Sequence, residues 1–300
     1  MKNYRLYQID SFTKEKFRGN PAGVVTNADG LTEKQMQDIA REMNCSETAF
    51  IFSPKNKNYD VWVRYFTPTV EVPLCGHATI AAHYVRAIEN KLPTSRVLSK
   101  TGAGILPVDI VKQGNDYKII MTQGKIEFGK EFNNKNKKIL LKALGLKENE
   151  IDIRCPIEVA SAGHSKVMVG IKSKNKLNTL SPDLPSLAKL SKPISCNGYF
   201  VFTFDTNEPN ILICGRMFAP AIGIAEDPVT GNANGPFGAY AIHHKLVKHN
   251  GKTYKFIAKQ GEAIRRTGYV EVTVTIDKDE PVKTQVGGSA VIVFKTTISV

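Results

Sequence analysis

Arg64-Tyr65-Phe66-Thr67-Pro68 in the first half of the chain and Arg216-Met217-Phe218-Ala219-Pro220 in the second decide how the 300 residues are organised. Each stretch reads as a strand that runs into a proline. Each is followed by a glycine that opens an apolar segment, Gly76-His77-Ala78-Thr79 in one half and Gly231-Asn232-Ala233-Asn234 in the other. Each is preceded by an aromatic strand, Ala49-Phe50-Ile51-Phe52 and Tyr199-Phe200-Val201-Phe202. Three matches in the same order, all roughly 150 residues apart, mark an internal repeat.

Outward from the repeat, strands alternate with a few helices. Residue alternation predicts strands over 4–9, 22–26, 48–52 and 59–66, and a hairpin over 105–111 and 117–122 around Gly114-Asn115. Thr32-Glu33-Lys34-Gln35 reads as a capping box that opens an amphipathic helix running to about Met43. Residues 77–89 leave almost no polar face, which predicts a buried helix. The lysine- and asparagine-rich stretch 130–138 is the candidate linker; it feeds a helix that ends near Leu144, with Gly145 as its cap. In the second half strands are expected at Val159, 167–169, 199–204 and 211–218, helices over 182–190 and 233–246, and an all-β tail over 254–258, 269–276 and 284–294.

Hydrophobic residues make up 42% of the chain and charged residues 23%, the composition of a globular protein. The length suits two domains better than one core. No apolar run reaches the ~18 residues of a membrane span, and the polar, strand-like start carries no export signal, so a cytoplasmic protein is expected. Cysteines stand at 45, 75, 155, 196 and 214, an odd number without a CxxC pair, and read as reduced thiols. Neither Cys75 with His77 nor the run His243, His244 and His249 has metal-site spacing, so no metal is expected. The net charge is +13, from 41 basic and 28 acidic residues. The lysines are scattered and not interleaved with aromatics, which reads as solvated surface rather than a nucleic-acid face. A basic field still favours anionic substrates. No phosphate loop, dinucleotide loop or nucleophile elbow is present, and no cofactor is expected.

Two similar halves make a cleft between them the expected place for a ligand. The first N–H groups of each helix lack intrahelical partners and carry partial positive charge. Gly76 and Gly231, at the two helix starts, are therefore candidates for holding a carboxylate. The polar residues nearby differ between the halves. Glu47 precedes the first aromatic strand, where the second half has Asn197; the second half instead brings Glu226-Asp227 into its loop. His77 stands at the first helix start and Asn232 at the second. A carboxylate in a dry site has a raised pKa and passes protons at physiological pH. Each residue also has a plainer reading: Glu47 as an exposed turn residue, Asp227 before Pro228 as a turn former, His77 as a helix cap, and Cys75 as a small buried apolar residue.

The runs Phe17-Arg18-Gly19-Asn20-Pro21-Ala22-Gly23, Ser46-Glu47-Thr48-Ala49-Phe50, RYFTPTVEVPLCGHAT over 64–79 and Gly223-Ile224-Ala225-Glu226-Asp227-Pro228-Val229-Thr230-Gly231 carry a close resemblance, with Gln260-Gly261 and Gly287-Gly288 near the end. The chain resembles the PhzF-like family, named for a phenazine-biosynthesis isomerase and sharing the diaminopimelate epimerase-like fold. Gly231-Asn232-Ala233-Asn234-Gly235 looks like its YddE-like branch. The resemblance implies an α+β architecture of two pseudo-symmetric domains, each a mostly antiparallel, barrel-like sheet around a central helix. They would span 1–128 and 129–283, with a last strand over about 284–300 returning to the first, usually in a homodimer. It implies a cofactor-independent isomerase or epimerase acting on a small carboxylate. Glu47 takes the acid/base position, His77 and Asp227 the other catalytic positions, and Gly76, Gly231, Asn232, Ser46 and Asn20 the substrate- and anion-binding positions.

Two departures stand out. The phenazine enzyme has serine at the position of Asn232, and the family's Gly-Arg-x-Gly reads Arg265-Arg266-Thr267-Gly268. In the related epimerases two cysteines move the proton; Cys75 fits near the first and the second loop has none, which speaks against a two-thiol racemase. Two other readings are a binding protein that kept the cleft without turnover and a Cys75/His77 hydrolase.

Overall fold

The computed structural model describes residues 1–300, and its strands fall into two units, Met1–Thr122 with Gly287–Val300, and Gln123–Val286. The first unit contains β1 (Asn3–Ser11), β2 (Asn20–Val25), α1 (Glu33–Met43), β3 (Thr48–Phe52), β4 (Val61–Phe66), β5 (Glu71–Val72), α2 (Gly76–Asn90), β6 (Ser95–Thr101), β7 (Gly104–Gln113) and β8 (Asp116–Thr122). The second contains β9 (Ile126–Phe128), α3 (Asn134–Leu144), β10 (Glu158–Ala162), β11 (Ser165–Gly170), α4 (Lys174–Asn178), α5 (Leu184–Ser191), β12 (Tyr199–Thr203), β13 (Ile213–Ala219), β14 (Ile224–Asp227), α6 (Gly231–His243), β15 (Thr253–Gln260), β16 (Gly268–Asp277) and most of β17 (Glu280–Gly288). The final strand, β18 (Ala290–Ser299), pairs antiparallel with β1 of the first unit.

Strand pairing repeats the sequence repeat. In the first unit β2 pairs parallel with β3, β3 antiparallel with β4, β4 antiparallel with β5 and parallel with β6, and β6 antiparallel with β7. In the second, β11, β12, β13, β14, β15 and β16 follow the same sequence of parallel and antiparallel pairings. One helix occupies the same place in each series: α2 lies between β5 and β6, and α6 between β14 and β15. Both are apolar nearly all round and buried over most of their length, as a helix wrapped by sheet must be. α2 packs against β1, β2, β3, β7, β8 and β18, and α6 against β9, β10, β11 and β16. Residue alternation then sorts the strands' other face. Phe50, Phe52 and Phe66 turn away from α2 to pack on Met36, Ile39 and Ala40 of α1. Tyr199, Val201 and Phe218 turn away from α6 toward Leu140, Leu144, Leu187 and Leu190 of α3 and α5.

The local signals account for most helix ends. Thr32 and Gln35 form both bonds of the capping box. Gly145, at φ 66°, closes α3 in the left-handed conformation that glycine adopts without strain. The stretch 130–138 is not an interdomain linker: Asn133 caps α3, which begins at Asn134 inside the second unit. The units divide between Thr122 and Gln123 because β9 pairs with β10. α6 begins at Gly231, two residues before the apolar periodicity suggests. Strand β6 has no apolar alternation to announce it, since two of its buried positions are Ser99 and Thr101. All five cysteines are buried, and none is in a disulfide.

Ser99 explains itself through α2. Its hydroxyl lies 3.2 Å from Nε2 of His83, which is fully buried and leaves Nδ1 without a partner. Burial, with Arg86 nearby, lowers the His83 pKa to about 3. The imidazole is therefore neutral in the fold and titrates near its ordinary value once unfolded, so stability is intact above that value and falls with pH below it. Denaturation of wild type and His83→Gln at pH 7 and pH 5 should show wild type losing about 2 kcal/mol more than the variant over that interval. Parallel losses in the two proteins would show that His83 is not the titrating group.

Candidate active site

In the first unit the chain leaves β4, turns through β5 and enters α2 at Gly76, with Cys75 as an extended N-cap whose side chain makes no capping bond. Arg64 holds this turn by a bidentate pair with Glu71, at 2.7 and 2.6 Å, across β4 and β5. His77 does not cap the helix. Its ring lies among three side chains: Nε2 is 3.2 Å from Glu47 Oε2 and 3.1 Å from Ser46 Oγ, and Nδ1 is 3.4 Å from Cys75 Sγ. Glu47 and His77 are 13% and 7% exposed, so the pair is mostly shielded yet reachable. Glu47 is thus no exposed turn residue. Ser11 Oγ donates to the His77 carbonyl at 2.8 Å, and Ser11 pairs with Asn20 across β1 and β2, which brings the buried Asn20 to the same helix start.

The imidazole links a thiol on one nitrogen to a carboxylate on the other, a layout able to hold or relay a proton. Ligand atoms of Glu47, Cys75 and His77 also lie within 4.8 Å of one another, a sulfur, nitrogen and oxygen set that a zinc ion accepts with a fourth position open. Sequence spacing missed this grouping because Glu47 comes from a different loop. It also undervalued Cys75, whose contact with His77 depends on the extended backbone at the N-cap.

The second unit builds its helix start differently. Arg216 pairs with Glu226 at 2.9 and 2.6 Å across β13 and β14, as Arg64 pairs with Glu71. Glu226 is therefore a structural partner and is not available as a site acid beside Asp227. Asp227 is buried, and its Oδ2 accepts a hydrogen bond from Thr230 Oγ1, the N-cap residue of α6. Gln260 fastens this loop with all its amide groups. Nε2 donates to Asp227 O at 2.8 Å and to Thr230 Oγ1 at 3.1 Å, while Oε1 accepts from Thr230 N and from Asn234 Nδ2, each at 3.1 Å. Asn232 follows Gly231, and its Oδ1 accepts from Gln123 Nε2 at 3.1 Å, which also donates to Gly231 O. Gln260 and Gln123 are the positioning residues the sequence did not single out as such.

Strand register also corrects one correspondence between halves. Thr48 faces Phe66 as Tyr199 faces Phe218, so the counterpart of Glu47 is Gly198 and not Asn197.

The sequence model of the phenazine biosynthesis-like proteins matches residues 9–296. The chain belongs to this family. An isomerase of Clostridium acetobutylicum is 63% identical over 298 residues, 99% of either chain. The isomerase YddE of Escherichia coli is 48% identical over 292 residues, 97% of this chain and 96% of its own. The trans-2,3-dihydro-3-hydroxyanthranilate isomerase of Pseudomonas chlororaphis is 30% identical over 295 residues, 97% of both. Among solved structures, the Bacillus anthracis phenazine biosynthesis protein of the PhzF family matches with a TM-score of 0.89 at 33% identity, covering 100% of both chains. The phenazine biosynthesis-like assignment agrees with the expected α+β architecture and isomerase class. No helix is long and apolar enough to cross a membrane.

The Gln260 network yields a direct test. Gln260→Leu keeps the volume but leaves the Thr230 N–H and the Asp227 carbonyl without that partner, and should destabilise the protein by about 2 kcal/mol or more in chemical denaturation. A change within experimental error would mean that the loop does not depend on Gln260.

Proposed function

We propose that the chain is a cofactor-independent isomerase that moves a proton on a small carboxylated metabolite, with Glu47 as the group that takes and returns it. The observation that carries this reading is the 3.2 Å contact between Glu47 and His77 in a mostly shielded site. Such a carboxylate is close to protein donors yet open to a ligand, which suits general acid/base work. The relative from Pseudomonas chlororaphis, an isomerase of an anthranilate derivative, supports a substrate that bears a carboxylate.

In this reading Glu47 removes a proton from carbon, and the electron pair left behind delocalises into the adjoining unsaturated or carboxyl group. Glu47 then delivers the proton to a different carbon, or to the same carbon from which it came. His77, fixed by Ser46 and Cys75, orients Glu47 and hydrogen-bonds the developing charge. The amide group at Gly76, with Asn20 and Ser46, binds the substrate's polar groups. In the second unit Asp227, held by Thr230 and the Gln260 loop, has the surroundings of an acid/base or orienting group, and the Gly231 amide and Asn232 stand beside it as groups for binding an anion.

The test is deuterium uptake from heavy water by a panel of small unsaturated and amino acids. Wild type should label at least one, and Glu47→Gln should slow that labelling by about 100-fold or more. Equal uptake by both proteins would remove Glu47 as the base. Cys75→Ala should retain most of the exchange; a loss as deep as that of Glu47→Gln would move the chemistry to the thiol.

A further inference from the structure

The Lys166 side chain covers, in the second unit, the strand position that corresponds to Glu47 in the first. Gly198, the counterpart of Glu47, has no side chain, and the Lys166 stem lies across it: a Cβ at 198 would come within 2.4 Å of Lys166 Cδ and 2.9 Å of Cε. Register puts the lysine on the inner face of the sheet. Val167, Tyr199 and Phe218 line up facing α3 and α5, so their neighbours Lys166, Met168, Phe200 and Met217 face α6. Asp227 pairs with Met217 on that same face.

The hairpin carrying Lys166 is locked against the α6 start. Gly163, at φ 92°, lies against Gly124 so closely that a Cβ on either would approach the other's Cα to 3.1 Å or less. Gly124 N donates to Ala162 O at 2.9 Å, and its neighbour Gln123 bonds Gly231 and Asn232. The tip that carries His164 and Lys166 is therefore tied to the segment whose Gln123 holds Gly231 and Asn232.

The polar groups there are under-used by the protein. The half-buried Lys166 ammonium makes one hydrogen bond, to Ser165 O at 3.0 Å, and no ion pair. Neither ring nitrogen of the half-buried His164 has a hydrogen-bond partner. In the first turn of α6, Asn234 is fully buried and its Oδ1 accepts nothing. Burial lowers the Lys166 pKa, opposed by Cys196 and Asp227. Burial, with Lys166 as the second cause, lowers that of His164 as well.

We propose that Lys166, assisted by His164, is the substrate-carboxylate recognition group of the second unit, so that the repeat carries an acid at one position and a cation at its counterpart. The assignment rests on the reading of the protein as a carboxylate isomerase and deepens it. The substrate presents an anionic group to Lys166 and the α6 start. A neutral amide or ester of the same skeleton is a poor ligand.

Malonate and succinate, with malonamide as neutral control, probe this without knowledge of the substrate. Calorimetric titration of the whole protein should show a diacid binding to wild type and malonamide failing to. Lys166→Met should weaken that binding by about tenfold or more, the loss expected for a charge-assisted hydrogen bond. Lys166→Arg should stay within a few-fold of wild type. Unliganded melting curves of both lysine variants report whether folding is retained; if Lys166→Met unfolds, a wild-type-like affinity in Lys166→Gln would overturn the assignment in its place. No diacid binding by wild type, or equal affinity in Lys166→Met, also overturns it, whatever Glu47 does. Full deuterium exchange in Glu47→Gln would instead sink the proton-transfer reading and leave the Lys166 result standing.

Discussion

A bidentate arginine–glutamate pair at the base of each buried helix is the constraint on which the rest depends. α2 and α6 must each begin directly after a strand has turned back, with little loop to absorb error. Arg64 with Glu71 and Arg216 with Glu226 pin that turn by paired bonds of planar geometry. The second pair is the more enclosed, with Arg216 and Glu226 at 8% and 12% exposed. Arg216 Nη1 also donates to the carbonyls of Leu177 and Leu180, so one guanidinium ties the sheet to the chain around α4. Losing one partner of so enclosed a pair costs about 3–5 kcal/mol, because the other charge is left stranded.

Once the turns are pinned, the residues at each helix start are free to differ, and they do. One unit spends its N-cap position on Cys75 and surrounds His77 with Ser46 and Glu47. The other uses Thr230 and Gln260 to grip Asp227 and leaves its glycine at 198 for a lysine from a neighbouring strand. A duplicated scaffold thus carries unlike polar groups at its two corresponding helix starts. The scaffold residues are the repeated ones, and the chemistry lies in the departures from the repeat.

That division also explains what could be read from the sequence. The frame was legible because apolar alternation, the Thr32 capping box and Gly145 are local signals, and because the two Arg-x-Phe-x-Pro strands repeat with their glycines. Glu47, His77 and Asp227 stood out because they break the repeat. Glu226 was misjudged because its partner Arg216 lies on the adjacent strand, a contact that only pairing creates. β6 was missed because two of its three buried positions are polar, Ser99 meeting a histidine from α2 and Thr101 bonding the Gly104 carbonyl. Lys166 escaped and Cys75 was undervalued for a shared reason: each reaches its neighbours through a backbone or register detail, an extended N-cap for Cys75 and a side-chain-free glycine for Lys166, that no spacing rule encodes.

β18 supplies the edge of the first unit from far along the chain, pairing with β1 from Asn3 opposite Ser299 to Ser11 opposite Ala290. The second unit is a single contiguous stretch between the two parts of the first. During synthesis the ribosome therefore releases a complete second unit before the first can close. Until β18 emerges, β1 keeps one flank unpaired, and the nascent chain carries an open strand edge that a chaperone or a neighbouring polypeptide could occupy.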